Sequence, residues 1–180
     1  MAYPTETFYG LGVDALNGKA VEKIFAIKKR NFSQPLLILI PGRDVLSAYV
    51  TEIPEAAVRL MEAFWPGPLT IIFFASSRIP PLLCGHTGKV AVRVSSHPVS
   101  QALVQALNAP LTATSANLSG LASPTTADEV WEQLGVQVDV ILDGGKTFGG
   151  NPSTIVDVTQ SLPRVVREGV IPKDEIERYF

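Results

Sequence analysis

The sequence is poor in the residues that build disulfides and metal sites. Its 180 residues include one cysteine, Cys84, and two histidines, His86 and His97. One cysteine cannot form an internal disulfide, and so few thiols and imidazoles cannot build a zinc cage. No apolar run approaches the ~20 residues of a bilayer span, and Met1 opens no signal peptide. These absences predict a cytoplasmic protein with no membrane segment and no resident metal.

Charge of either sign is also scarce. The chain has 15 basic and 17 acidic residues, which gives a net charge of −2 at pH 7. No overall field therefore attracts nucleic acid or anionic lipid, and any basic site must be local. A hydrophobic fraction of 46% excludes a mainly disordered chain. The length predicts a single domain over residues 1–180.

What the chain does contain is an alternation of helical and strand-like segments. Helical spacing, capping residues and prolines predict helices at 21–30 and 54–64, from Pro98, from Thr126 and after Pro172. Apolar runs predict strands at 36–40, 69–74, 90–94, from 111, and at 138–142, 153–158 and 164–167. The segment 5–12 is predicted to be a loop with no strand in front of it. This alternation predicts an α/β fold with a mixed sheet flanked by helices.

The stretch 111–120 begins as a short strand and becomes a loop rich in hydroxyl and amide groups, including Ser115 and Asn117. In open α/β sheets, ligands bind at the carboxyl ends of strands. The loop has no acid and no histidine, so it cannot supply a general base. It is predicted to bind an anion, and a solvated polar turn is the alternative that the loop alone leaves open.

Three cationic side chains also indicate anion binding. Lys28 and Arg30 stand one residue apart where a helix ends, a spacing that suits neighbouring phosphate oxygens. A solvated helix end that complements the helix dipole is the alternative. Arg93 lies inside an apolar strand, where a guanidinium needs an anionic partner. Asp143, Asp157 and a ligand carboxylate are the candidate partners.

Two nucleotide-binding motifs are rejected. The segment 10–15 matches the loose dinucleotide fingerprint, but no strand precedes it and Asp14 would oppose a phosphate. The segment 145–147 resembles the end of a P-loop, but Val140 stands where its first glycine belongs. There is also no nucleophile–base pair. The cations and hydroxyls therefore favour nucleotidyl or phosphoryl transfer, which depends on positioning and charge stabilisation.

Nine short motifs follow one another over nearly the whole chain. They are Pro-Thr-Glu-Thr-x-Tyr-Gly-Leu-Gly at 4–12, Lys-x-Arg at 28–30 with Pro-Leu at 35–36, Phe-Trp-Pro-Gly-Pro-Leu-Thr at 64–70, Val-Ala-Val-Arg-x-x-x-His-Pro at 90–98, Thr-Ser-Ala-Asn-Leu-Ser-Gly at 114–120, Ser-Pro-Thr-Thr at 123–126, Asp-Gly-Gly at 143–145, Ser-Thr-x-Val-Asp at 153–157 and Arg-x-Gly at 167–169. In this order they resemble the YrdC family, the threonylcarbamoyl-AMP synthases of tRNA modification.

The resemblance implies a twisted mixed α/β sheet around a large basic cavity. It implies a nucleotidyltransferase that converts L-threonine, bicarbonate or CO2, and ATP with Mg²⁺ into threonylcarbamoyl-AMP and pyrophosphate. The product serves N6-threonylcarbamoyladenosine modification at tRNA position 37, so the implied partner is a downstream threonylcarbamoyl-transferase complex acting on tRNA. Weak RNA binding is also implied.

The site residues follow from the resemblance, position by position. ATP is expected at Lys28, Arg30, Gln34, Ser115, Asn117, Ser123 and Arg167, with Lys28 and Arg30 as the catalytic pair. L-Threonine is expected at Thr7, Arg93, Ser153 and the backbone of Ala113. The family usually has a strand–helix–strand segment before the motif at 4–12. The resemblance therefore predicts a truncated N-terminal strand region with an unpaired sheet edge.

Two other functions compete with this interpretation. The first is a non-catalytic module of the same fold that binds double-stranded RNA or tRNA, which the net charge of −2 disfavours. The second is carbamoyl transfer in hydrogenase maturation. Proteins of that kind carry additional zinc-finger-like and acylphosphatase domains, for which 180 residues leave no room.

Overall fold

The computed structural model describes residues 1–180 and contains two β-sheets. The strands are β1 (Ala2–Pro4), β2 (Tyr9–Leu11), β3 (Leu37–Leu39), β4 (Leu69–Phe74), β5 (Lys89–Arg93), β6 (Leu111–Thr112), β7 (Thr114–Ser115), β8 (Thr154–Asp157) and β9 (Arg164–Arg167). The large sheet has the order β6-β3-β5-β4-β8-β9, with parallel and antiparallel neighbours. The small antiparallel sheet has the order β1-β2-β7. The predicted mixed α/β fold is confirmed, and the second sheet is an addition to it.

All five predicted helices form. They are α1 (Gly18–Lys28), α2 (Glu55–Phe64), α3 (Pro98–Leu107), α4 (Ala127–Leu134) and α5 (Lys173–Ile176). Local chemistry sets their starts: the Asn17 side chain accepts from the amide of Ala20, and the Thr126 hydroxyl accepts from the amide of Glu129, both at 3.2 Å. None of these helices combines the length and the apolar character needed to cross a bilayer.

The strand predicted from residue 111 is divided between the two sheets. β6 pairs with β3 in the large sheet, and β7 pairs with β2 in the small one. Ala113 lies between them, and its amide donates to the carbonyl of Leu37 at 2.9 Å. One short segment thus links both sheets, and the polar loop follows directly from this link.

The large sheet is covered on both faces. Ile38 belongs to the main core of 33 buried residues, whereas its neighbour Leu39 belongs to a separate cluster with Tyr3, Leu111 and others. Because successive strand residues point to opposite faces, Ile38 and Leu39 face opposite sides of the large sheet. The small sheet, which carries Tyr3, therefore covers the face that holds Leu39.

The expectation of a loop with no strand before it is wrong at the N-terminal end. The first residues form β1, and the amide of Thr5 donates to the carbonyl of Phe8 at 3.1 Å to close a hairpin with β2. On the other side of β1, Ala2 bonds to the backbone of Val140 and Leu142 at 2.8 and 2.9 Å, and the expected truncation with its unpaired sheet edge stays a prediction. Strands of three residues are too short to produce a periodic signal in the sequence.

The strand predicted at 138–142 is also wrong. This segment makes a single parallel bridge, between Ile141 and Ala2, and no ladder. Its bridge partner is β1, which is three residues long and pairs with β2 on its other side. An apolar run indicates burial or extension, but the length of a strand depends on its partner.

The segment after β9 packs unusually close to the chain before β8. A Cβ atom at Gly169 would overlap the carbonyl oxygen of Pro152 and stand 2.6 Å from the carbonyl carbon of Ser153. The hydroxyl of Thr154 accepts from the amides of Gly169 and Ile171, both at 3.0 Å. Glycine at 169 therefore lets the end of β9 lie directly against the start of β8.

We expect Gly169→Ala to lower the free energy of unfolding by about 2–3 kcal/mol, because the added methyl group meets rigid backbone on several sides. Gly18→Ala is the matched control, since nothing lies within 4 Å of its added Cβ and alanine favours the helix. The measurement is urea unfolding of both variants. Equal stability of the two would contradict the close packing at Gly169.

Candidate functional site

A cavity of about 610 Å³ lies between the two sheets. One wall is the face of the large sheet that holds Leu37, Ala91 and Ile72, which are direct neighbours across β3, β5 and β4. The opposite wall includes Gly10 of β2 and Ser115 of β7, which are paired in the small sheet. The cavity therefore exists only because the chain forms two sheets.

Nine of the eleven residues predicted for the site line this cavity. They are Thr7, Arg30, Gln34, Arg93, Ala113, Ser115, Ser123, Ser153 and Arg167. Lys28 and Asn117 do not line it. The large cavity implied by the resemblance is present, and predicted residues separated by up to 160 positions in sequence, such as Thr7 and Arg167, reach it together.

The cavity wall is electropositive. Its charged groups are three guanidiniums, those of Arg30, Arg93 and Arg167, and no carboxylate lines it. Burial lowers the pKa of Arg30 and of Arg167, and the nearby charge of Arg93 lowers the pKa of Arg167 further. Hydroxyls of serine and threonine complete the polar wall. Such a set of donors suits an anion of several charges.

Backbone carbonyls orient two of these arginines. The side chain of Arg30 donates to the carbonyls of Pro35 and Gln34 at 3.0 and 3.4 Å. Arg167 donates through Nε and Nη2 to the carbonyl of Ser153 at 3.2 and 2.8 Å. A carbonyl holds a guanidinium in place without cancelling its charge, so both cations keep their attraction for a ligand.

At the end of α1, three consecutive residues have different surroundings. Lys29 has a left-handed backbone with φ of 51°, and its amide and that of Arg30 bond back to the carbonyls of Ala26 and Phe25. Lys29 is exposed, Lys28 is buried, and Arg30 reaches the cavity. The turn therefore explains why the spacing Lys-x-Arg serves two different places.

Lys28 supports the cavity wall from behind. Its side chain is 2% exposed, and Nζ donates to the carbonyls of Ser115 and Asn117 at 2.5 and 2.8 Å and to Oδ1 of Asn117 at 2.9 Å. An ammonium has three donors, and all three are used. The same Oδ1 accepts from the hydroxyl of Ser115 at 2.6 Å. Lys28 thus fixes the polar loop, and its contact with phosphate stays a prediction.

Arg93 has a partner that the sequence did not indicate. Its guanidinium is 3.5 Å from Oε2 of Glu6, and its side chain is only 4% exposed. The candidate partners Asp157 and Asp143 are engaged elsewhere, since Asp157 binds Lys89 at 3.0 Å and Asp143 accepts from the amide of Gly145 at 2.9 Å. Both suggested carboxylates were therefore wrong as partners of Arg93.

Glu6 is the charged residue beside the cavity that sequence reasoning missed. It lies 87 positions from Arg93 in the chain, so no local spacing links the two. One signal was available, because Glu6 is the only acid in the motif at 4–12 and stands between two threonines that reach the cavity, Thr5 and Thr7.

The chain is similar to proteins that are already known. The Sua5/YciO/YrdC family model, which is described as telomere recombination, matches residues 1–169. A threonylcarbamoyl-AMP synthase of Pyrococcus abyssi is 42% identical over 99% of this chain and 52% of its own length. One of Photobacterium profundum is 37% identical over 94% of this chain and 91% of its own length. The chain thus spans about half the length of the Pyrococcus relative.

A solved structure gives the same picture. The crystal structure of P. abyssi Sua5 complexed with L-threonine is similar to this chain with a TM-score of 0.96 and 42% identity, covering 99% of this chain and 52% of that one. The similarity therefore covers nearly the whole chain, including both sheets.

Replacing Lys28 by methionine should cost about 3 kcal/mol of unfolding free energy at pH 7, because buried carbonyls lose their donor. Burial and the neighbouring charge of Arg30 lower the pKa of Lys28 from 10.5 to about 8. Between these values the unfolded chain binds more protons than the folded one, so Lys28 makes the stability of the wild type rise with pH. The difference in unfolding free energy between the wild type and Lys28→Met should therefore grow between pH 8 and 10.

Urea unfolding at pH 7, 8, 9 and 10 measures this difference. Lys19→Met, on the exposed side of α1, controls for the loss of one lysine charge. If the difference in unfolding free energy between the wild type and Lys28→Met stayed constant or shrank with rising pH, the pKa of Lys28 would not be lowered by burial.

Proposed function

Because the chain belongs to the Sua5/YciO/YrdC family, we propose that it forms L-threonylcarbamoyl-AMP and pyrophosphate from L-threonine, bicarbonate or CO2, and ATP. The observation that carries this proposal is the cavity of about 610 Å³ with three guanidiniums and no carboxylate on its wall. A triphosphate and a small amino acid both present anions, and a cavity of this size admits ligands of this class.

The amino acid is proposed to bind at Arg93. A guanidinium has five N–H donors, and here it makes one contact, with Glu6 at 3.5 Å. Its Nε is buried without a hydrogen-bond partner. A ligand carboxylate would supply acceptors for these donors in the planar geometry that arginine favours. The hydroxyls of Thr7 and Ser153 lie on the same cavity wall and are the proposed partners of the amino-acid substrate.

The triphosphate is proposed to bind at Arg30, Arg167 and the polar loop. Gln34, Ser115 and Ser123 are the further ATP contacts on the wall, and Lys28 with Asn117 would act from behind it. Burial and the nearby charge of Arg30 lower the pKa of Lys28, so the two cations lie close together. Both would therefore contribute to the electrostatic field at the phosphates.

Magnesium fits this site only as a companion of the nucleotide. Magnesium sites usually use one or two carboxylates together with phosphates, and the cavity wall has no carboxylate. The phosphate oxygens would hold the ion. The hydroxyls of Ser115 and Ser123, which lie in the cavity wall, are the further oxygen ligands available to it. Bound there, Mg²⁺ supplies charge neutralisation to the triphosphate.

The proposed chemistry needs positioning more than acid–base catalysis. The amine of threonine adds to CO2 to form a carbamate and releases one proton to solvent. A carbamate oxygen then attacks the α-phosphorus, the bond from that phosphorus to the bridging oxygen breaks, and pyrophosphate leaves with the electron pair. Arg30 stabilises the charge that develops on pyrophosphate, and Arg93 holds the amino acid in line.

The product would be passed on for modification of tRNA. We assign the chain to the cytoplasm, with a threonylcarbamoyl-transferase complex that acts on tRNA position 37 as its downstream partner. The name of the Photobacterium relative, of which the matched region is 91%, supports synthesis of threonylcarbamoyl-AMP by this domain.

The competing function is a non-catalytic module that binds double-stranded RNA or tRNA with the same cavity. Its support is the group of arginines, and the net charge of −2 opposes it. RNA affinity that falls steeply with salt, together with no turnover of ATP, would favour this module over the enzyme.

The decisive assay is pyrophosphate release from ATP with and without L-threonine and bicarbonate, with mass detection of the adenylate. We expect release only when both are present. Pyrophosphate release that does not depend on threonine would reject the proposed reaction, and so would the absence of release from a folded protein.

Arg30→Ala should lower pyrophosphate release about 10²-fold, because the departing pyrophosphate loses a charged donor. The melting temperature should change little, since Arg30 is half-buried and bonds only to loop carbonyls and weakly to Thr114. Arg178→Ala, an exposed arginine outside the cavity, is the matched control. A near-normal rate for Arg30→Ala would remove Arg30 from the reaction.

A further inference from the structure

Glu6 lies just behind the cavity wall. Its neighbours Thr5 and Thr7 line the cavity and Glu6 does not, and its side chain is 11% exposed. Oε2 accepts a short hydrogen bond from the hydroxyl of Ser95 and also faces Nη2 of Arg93. The other oxygen, Oε1, is buried and has no hydrogen-bond partner.

The contact with Arg93 is incomplete. A bidentate pair joins two N–H groups to two carboxylate oxygens. Here one nitrogen faces one oxygen at 3.5 Å, and both Oε1 of Glu6 and Nε of Arg93 are left unpaired. Glu6 therefore holds one corner of the guanidinium and leaves the remaining donors for a second anion.

Glu6 also gives Arg93 a different electrostatic setting from the other two arginines. Carbonyls orient Arg30 and Arg167, so they keep a full unit of charge for a triphosphate. Arg93 alone has an internal carboxylate, which offsets part of its charge. A partly compensated guanidinium matches the single charge of a carboxylate better than the several charges of a triphosphate.

We propose that Glu6 is a positioning residue that aims Arg93 at the carboxylate of the amino-acid substrate and reserves that subsite for an amino acid instead of phosphate. This rests on the proposed function. Glu6 acts through Arg93 only, and Ser95 fixes Glu6 by its hydrogen bond.

A double-mutant cycle tests this coupling. L-Threonine binding is measured by calorimetry for the wild type, Glu6→Gln, Arg93→Gln and the double variant, and MgATP binding is measured separately for each. Glutamine keeps an oxygen that can accept from Ser95 and removes the charge. We expect Glu6→Gln to weaken threonine binding about tenfold and to leave MgATP binding unchanged or tighter. In the Arg93→Gln background, Glu6→Gln should have no further effect.

The controls separate positioning from folding. Glu22→Gln, on the exposed side of α1, should bind both ligands like the wild type. All titrations are run well below the melting temperature of each variant, because loss of the Glu6 charge leaves Arg93 buried without a counter-charge. Equal losses for threonine and MgATP, or the same loss of threonine binding with and without Arg93, would overturn the inference.

The two proposals fail in different ways. If threonine binds with the expected coupling and no adenylate forms, the reaction is wrong and the role of Glu6 stands. If adenylate forms and threonine binding does not depend on Glu6, the role of Glu6 is wrong and the reaction stands. Absence of threonine binding in the wild type would reject both.

Discussion

Three guanidiniums share one cavity whose wall has no carboxylate, and the rest of the structure has to accommodate that charge. Burial lowers the pKa of Arg167, and the nearby charge of Arg93 lowers it further, because like charges in a partly buried space repel each other. The fold manages this with dipoles: carbonyls hold Arg30 and Arg167, and those cations remain available to an anion. The cavity thus holds a positive field that a multiply charged substrate would neutralise.

Supporting contacts behind the wall keep this arrangement rigid. Lys28 connects the end of α1 to β7 and the loop after it with three hydrogen bonds. Glycine at 169 brings the end of β9 against Ser153, to which Arg167 bonds. These residues need not touch a ligand to matter, since a site that works by positioning depends on how firmly its donors are held.

The candidate site could be predicted from the sequence better than the strands that build it. Nine residues assigned by resemblance line the cavity, because short motifs of fixed order specify local chemistry wherever the fold brings them. The strand Ala2–Pro4 was missed and the strand at 138–142 was wrongly expected. Both errors concern short segments, because a strand of three residues gives no periodic signal and the segment 138–142 forms only one bridge and no ladder.

The sequence by itself determined the class of fold, the helices with their caps, and the identity of the cations and hydroxyls available for an anion. These follow from periodicity, capping and composition, which act over a few residues. Only the tertiary structure decided that residues 111–115 divide between two sheets, that Lys28 faces a loop while Arg30 faces the cavity, and that Glu6 is the partner of Arg93. Those outcomes depend on contacts between residues as many as 105 positions apart, such as Gly10 and Ser115, which no local pattern encodes.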